Sequence, residues 1–220
     1  MNLILNFFSS VLDAIFPQKC VACKKDGTLL CEQCLCGFPV APPAPLPFIH
    51  SVFDYQHSPT KNTLWRFKYK NARGFAKVFA ERLYEEIIAE LSDNIDAGSD
   101  EKYLLVPVPL HKSRLRERGY NQSSLLAKEI AKYDRSGMFE FAPDVLKRVR
   151  KTKPQARAEK RSARQANLHG AFTCSDYARV HGRTIILIDD ITTTGATLLA
   201  SKKALSLARP RKVLAFTIAH

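Results

Sequence analysis

Apolar residues fall along this chain in three rhythms, and each predicts a different element. From 73 to 91 they recur at helical spacing, with Phe75, Val78, Phe79, Leu83, Ile87 and Ile88 on one side, and a shorter helix is expected over 60–70. Phe48 to Tyr55 alternates instead, as a half-buried strand does. Three short runs are apolar almost without interruption: Tyr103–Val108 (YLLVPV), Thr184–Ile188 (TIILI) and Lys212–Ile218 (KVLAFTI). That is how strands covered on both faces read. Helices are expected over 121–131 and 197–208, and Asp144–Val149 reads as a further strand. Strand–helix–strand alternation implies an α/β fold with parallel pairing and right-handed crossovers.

The beginning of the chain breaks these rhythms. Residues 1–16 (MNLILNFFSSVLDAIF) space Leu5, Phe8, Leu12, Ile15 and Phe16 as a short packed helix would. They carry no Lys or Arg, lack an A-x-A cleavage site and are too short to span a bilayer, so neither a secretory leader nor a transmembrane segment is expected and the cytoplasm is the expected compartment. Residues 17–38 are rich in cysteine, and Pro39–Pro47 (PVAPPAPLP) is a stiff, extended spacer. The expected organisation is an N-terminal helix and cysteine module over 1–38, a linker over 39–47 and the α/β domain over 48–220.

Charge sharpens this picture. The formal net charge is +13, which calls for an anionic partner: nucleic acid, a phosphorylated metabolite or a membrane surface. It is also segregated. His111–Arg118 carries a net +3 and Lys147–Arg164 a net +8, so two stretches hold +11 of the +13. Segregation favours anion-handling loops over a uniformly solvated surface.

Five of the six cysteines lie between positions 20 and 36. Cys20-x2-Cys23-x7-Cys31-x2-Cys34 is a pair of C-x-x-C knuckles, a spacing that brings four thiolates to one tetrahedral Zn²⁺. A segment this short has almost no core, so a structural metal would supply its folding energy. Two disulfides or inert thiols are the alternatives, disfavoured by compartment and by the paired spacing. Cys36 is a possible substitute for Cys34, and Cys174 reads as a small core residue. The six histidines form no ligand spacing.

The densest chemistry lies in ILIDDITTTGAT followed by LLASKKALSLA. A buried strand delivers Asp189 and Asp190 at its carboxyl end, where open α/β sheets bind ligands. Thr192, Thr193, Thr194, Gly195, Ala196 and Thr197 then turn into a helix N-terminus, whose unpaired N–H groups and dipole suit a phosphate. Carboxylates repel phosphate but accept the vicinal hydroxyls of a ribose. A sugar 5′-phosphate satisfies both halves. The bland alternative, a capping aspartate and a threonine-rich helix start, explains one carboxylate but not two.

Residues 189–197 resemble the 5-phosphoribosyl-1-pyrophosphate (PRPP) fingerprint of type I phosphoribosyltransferases. With the four-cysteine N-terminus, VPVPLHKSRLRERGYNQ (106–122) and KTKPQARAEKRSARQANLHGAF (151–172), nearly the whole chain resembles the ComF family. That family is associated with natural competence, the uptake of DNA in transformation, and includes GntX-like members. The resemblance implies a type I phosphoribosyltransferase-like sheet with flanking helices, a hood-like segment over 48–92, and PRPP with Mg²⁺ as ligand. It implies Asp189 and Asp190 as the catalytic pair. It also implies a pyrophosphate loop containing Leu110, His111, Lys112, Arg114 and Arg118, where an arginine can fork across two oxygens.

The second basic stretch, with Lys151, Lys153, Arg157, Lys160, Arg161 and Arg164, fits a mobile lid over PRPP or a contact to DNA phosphates. It contains no aromatic residue on which a base could stack. Trp65, Phe67 and Tyr69 are expected to pack their helix on the core, or to contribute to a hood that receives an acceptor base. The last strand runs to within two residues of the end, so cover for the site is expected from the cysteine module and 48–92. Three functions fit: a transferase that displaces pyrophosphate from PRPP, a competence protein that binds single-stranded DNA and works with other uptake proteins, and a non-catalytic PRPP sensor.

Overall fold

A computed structural model of the chain describes residues 18–92, 102–150, 168 and 170–220. The expected helix over 1–16 and the basic residues 151–167 lie outside these. Five strands form one sheet: β1 (Ile49–Phe53), β2 (Tyr103–Pro107), β3 (Phe139–Phe141), β6 (Thr184–Ile191) and β7 (Lys212–Ala219). Their order is β1-β7-β6-β2-β3, and every pairing is parallel. The longest strands, β6 and β7, occupy the centre and are apolar on both sides, as the uninterrupted runs predict.

The pleat sorts alternate residues of each strand to opposite faces. Ile186, Ile188, Leu214 and Phe216 face one core, built with α2 (Ser58–Tyr69), α3 (Phe75–Ser92) and α5 (Gln122–Tyr133). Ile185, Leu187, Val213 and Ala215 face a second core with α6 (Tyr177–Val180) and α7 (Ala196–Ser206). An antiparallel ribbon of β4 (Leu146–Arg148) and β5 (Phe172–Cys174) closes that second core, and Cys174 is buried there.

Two local features differ from the sequence expectation. The stretch after His111 forms a helix, α4 (Lys112–Arg118), rather than a loop. His111 Nδ1 accepts from Ser113 N at 3.2 Å to start it, and Gly119 at φ 75° stops it. Its one large apolar residue, Leu115, is 43% exposed, so no apolar stripe announces the helix. Of the three aromatics on α2, Phe67 alone enters the core, beside Leu64. Trp65 and Tyr69 are 49% and 51% exposed.

The proline-rich stretch runs along the outer edge of β1. Ala41 N donates to Val52 O at 3.1 Å and Asp54 N to Pro39 O at 2.8 Å. Prolines suit this position because an edge needs few donors and benefits from being covered. Before it, α1 (Glu32–Cys36) and the knuckle backbone place Val21, Leu30, Leu35 and Phe38 in the same core as Phe53 and Phe79.

Candidate functional site

Because β2, β6 and β7 are parallel neighbours, their carboxyl ends meet on one rim of the sheet. Asp189 and Asp190 lie there on the last turn of the pleat before the strand ends at Ile191. Asp189 retains a little surface but is packed round by protein. Its carboxylate accepts from Ser123 Oγ on α5 at 2.8 Å and from Asp190 N at 2.9 Å. Burial, and after it the charge of Asp190, raises its pKa to about 7, against the pull of Ser123, the Asp190 N–H and Lys68. Asp190 is 7% exposed and pairs with Lys68 Nζ at 3.2 Å.

Lys68 is a site residue that sequence reasoning missed. It sits on α2 between buried Phe67 and exposed Tyr69. No motif marks it, since only the packing of α2 against the sheet brings its ammonium to Asp190.

Beyond Asp190 the chain turns through Thr192, Thr193 and Thr194. Thr192 is buried, and its N–H donates to Ala219 O at 3.0 Å, tying the turn to β7. Gly195 caps α7 at φ 72°. A Cβ there would lie 2.9 Å from Ile49 Cδ1 and 3.0 Å from Leu46 Cδ1, so both conformation and space demand glycine. Ala196 begins α7 and is buried, while Thr197 is half-buried beside it. The turn presents exposed Thr193 and the first N–H groups of an eleven-residue helix.

The adjacent rim carries the basic groups. Val108 N donates to Ile188 O at 2.9 Å, and Asn121 Nδ2 donates to Val108 O at 3.0 Å, which holds the start of the Pro109–Leu110–His111 turn. Lys112 is exposed and Arg114 half-buried. Arg118 turns to α2: its guanidinium donates to Gln122 Oε1 at 3.1 Å and Tyr69 OH at 3.3 Å. Arg148 on β4, to which the sequence assigned no role of its own, joins this group. Burial and then the charge of Arg114 lower its pKa while Asp189 opposes them, so all three charges share one field. The lid or DNA-contact residues Lys151, Lys153, Arg157, Lys160, Arg161 and Arg164 lie outside the described residues.

At the cysteine module, the sulfurs of Cys20, Cys23, Cys31 and Cys34 all lie within 4.8 Å of one another. Tetrahedral Zn–S bonds of about 2.3 Å place neighbouring sulfurs about 3.8 Å apart, and Cys23 and Cys31 are 3.6 Å apart. The cluster is compatible with a structural zinc site. Burial raises the Cys20 thiol, but N–H groups of Cys23, Cys31 and Ala22 outweigh it and bring it to about 6. Such N–H···S bonds are the outer support of a thiolate ligand. Cys36 faces away, donating to Glu32 Oε1 at 3.4 Å with Arg82 Nη2 3.6 Å from its sulfur.

No family model matches the chain. Individual proteins do. Competence protein ComFC of Bacillus subtilis is 34% identical over 173 residues, covering 76% of this chain and 62% of ComFC. Competence protein F of Haemophilus influenzae is 30% identical over 157 residues, covering 70% and 65%. DNA utilization protein YhgH of Salmonella typhimurium is 28% identical over 188 residues, covering 81% and 78%. The chain thus spans less than two thirds of the length of ComFC. Among solved structures, a hypoxanthine phosphoribosyltransferase of Staphylococcus aureus aligns at TM-score 0.35 and 16% identity, covering 64% of this chain and 62% of the other. The HGPRT-ase of Leishmania tarentolae in complex with GMP aligns at 0.34 and 17%, covering 66% of each. With its four-cysteine module joined to an α/β domain, the chain is thus similar over most of its length to competence and DNA utilization proteins.

Proposed function

We propose that this protein binds PRPP with Mg²⁺ at the carboxyl rim of β6 and acts in the cytoplasm in the handling of imported DNA. One observation carries the ligand: two adjacent carboxylates open directly onto a Thr/Gly turn that ends in a helix N-terminus. In this reading Asp189 and Asp190 accept the ribose 2′- and 3′-hydroxyls, and the Thr192–Thr197 turn donates to the 5′-phosphate. Arg114, Lys112 and Arg148 meet the diphosphate, with Leu110 and His111 shaping the turn beneath it. The DNA role rests on the names of the relatives.

The chemistry such a site supports is pentosyl transfer. A nucleophile bonds to C1 of the ribose, the C1–O bond to pyrophosphate breaks, and the leaving diphosphate takes the electron pair. The developing negative charge falls among Lys112, Arg114 and Arg148, where fixed cations stabilise it without reorganisation. Lys68 gives up Asp190 to the sugar and becomes a further cation for the ligand. A structural Zn²⁺ held by Cys20, Cys23, Cys31 and Cys34 would fix the module without entering this chemistry.

Calorimetric titration with PRPP and Mg²⁺ tests the reading. Wild-type protein should bind, and free diphosphate should bind much less well. Asp190→Asn keeps the shape but removes a charged acceptor, and should weaken binding by about 1.5–3 kcal/mol. Wild-type protein that gives neither heat nor a thermal shift with PRPP would refute it.

A further inference from the structure

The helix that supplies Lys68 also carries a surface that the PRPP site does not use. Between Ser58 and Lys70 the chain has four cations, Lys61, Arg66, Lys68 and Lys70, and no acidic residue. On this helix Trp65 and Tyr69 stand one turn apart, 49% and 51% exposed, with ring centroids 6.2 Å apart. Lys70 Nζ lies 5.3 Å from the Trp65 ring centroid, and the Arg118 guanidinium lies 5.1 Å from that of Tyr69. Arg118 is fastened by Gln122 Oε1, and Gln122 Nε2 in turn donates to Lys68 O at 3.4 Å. A chain of contacts therefore links the strip to the Lys68–Asp190 pair.

A single exposed aromatic is ordinary. Two neighbouring rings left in water, each flanked by a cation and carried on a helix without acidic residues, are a different matter. Ring faces accept bases of any sequence, and the flanking cations meet the phosphates between them. The second basic stretch of the sequence lacks such faces, and this helix has them.

We propose that Trp65 and Tyr69, with Lys70 and Arg118, form a stacking platform for the unpaired bases of a single nucleic-acid strand. The platform does not depend on the PRPP reading, and its test is run without PRPP, so the two fail separately.

Trp65 is the chain's one tryptophan, so its fluorescence reports on this strip directly. A thymidine dodecamer titrated into the full-length protein should quench it. An abasic dodecamer with the same phosphates should bind through charge and leave the emission nearly unchanged. Tyr69→Ala, followed by the anisotropy of a labelled strand, should weaken binding about 5- to 100-fold. The dependence of affinity on salt should stay the same, because no phosphate contact is lost, and Tyr69→Phe should retain binding. Three results would overturn the proposal: strand binding without a change in Trp65 emission, equal quenching by the abasic strand, or no strand binding at low salt. Quenching by thymidine monophosphate at the concentration that suffices for the dodecamer would overturn it too, marking a mononucleotide site instead.

Discussion

The cysteine module and the β6–α7 turn both gather groups suited to a charged ligand, yet the fold supports them in opposite ways. Among the described residues of the module, regular structure amounts to one five-residue helix, and the backbone bonds Cys20 N to Lys25 O and Val21 N to Leu29 O close small loops. Its apolar residues Val21, Leu30, Leu35 and Phe38 complete a core shared with α2, α3, α5 and one face of the sheet. The turn is continuous with an eight-residue strand at the centre of the sheet and is pinned to β7. A ligand of the module is thus part of the folding free energy, whereas a ligand of the turn meets a frame already made.

The contrast predicts that metal removal has the largest effect. Chelation of the zinc-loaded protein, or Cys23→Ser, should cost several kcal/mol and lower the unfolding temperature, because the binding free energy of the metal is part of the folding free energy of this module. Cys36→Ser, which leaves the four-sulfur cluster intact, should change stability by less than about 0.5 kcal/mol and leave metal stoichiometry at one per chain. Thermal unfolding with metal analysis on the same samples checks both. A chelated protein with unchanged unfolding temperature would erase the distinction between the two regions.

Next in size is Gly195→Ala. It places a Cβ against Ile49 and Leu46 at positive φ. Strain and overpacking should together cost about 2–4 kcal/mol, and PRPP affinity should fall with it. Equilibrium denaturation with urea, alongside calorimetry, would show whether the turn is as rigid as its anchoring implies. A neutral effect on both would mean that the turn yields.

A smaller effect than that of Gly195 is expected from Asp189 and depends on pH. Its folded pKa of about 7 lies above the ordinary unfolded carboxylate value of about 3.9. Between these values the folded state binds a proton that the unfolded chain has released, so stability falls as pH rises through this window. Above pH 7 the full penalty is in place, and below pH 4 it is absent. Asp189→Asn keeps the acceptor for Ser123 and should stabilise the ligand-free protein at pH 8 by on the order of 1–2 kcal/mol, with little effect near pH 4. Unfolding temperatures measured across that range would show a difference that grows with pH. A constant difference would remove the raised pKa from the account.

Much of the fold was legible because its signals are local. The runs at 103–108, 184–188 and 212–218 all became sheet strands, since a strand buried on both faces must be apolar throughout. Strands β3 and β5, of three residues each, went unseen because so short a run has no period to read. Helix α4 was hidden for another reason: it is exposed and charged, so propensity and caps make it rather than an apolar stripe.

The sites divide along the same line. Cys20, Cys23, Cys31 and Cys34, and the Asp189–Thr197 turn, are contiguous motifs, and their chemistry is written in residue spacing over a few positions. Lys68, Ser123 and Arg148 reach the aspartates from α2, α5 and β4, elements far apart in sequence. Arg118 shows the converse, placed by sequence at the diphosphate and by packing on Tyr69. Sequence by itself determined which backbone turns and thiol knuckles exist, because short-range sterics and spacing dictate them. Only the tertiary structure decided which charges surround them and which aromatics remain in water, because those follow from how helices dock on the sheet, a long-range balance of burial that no local pattern encodes.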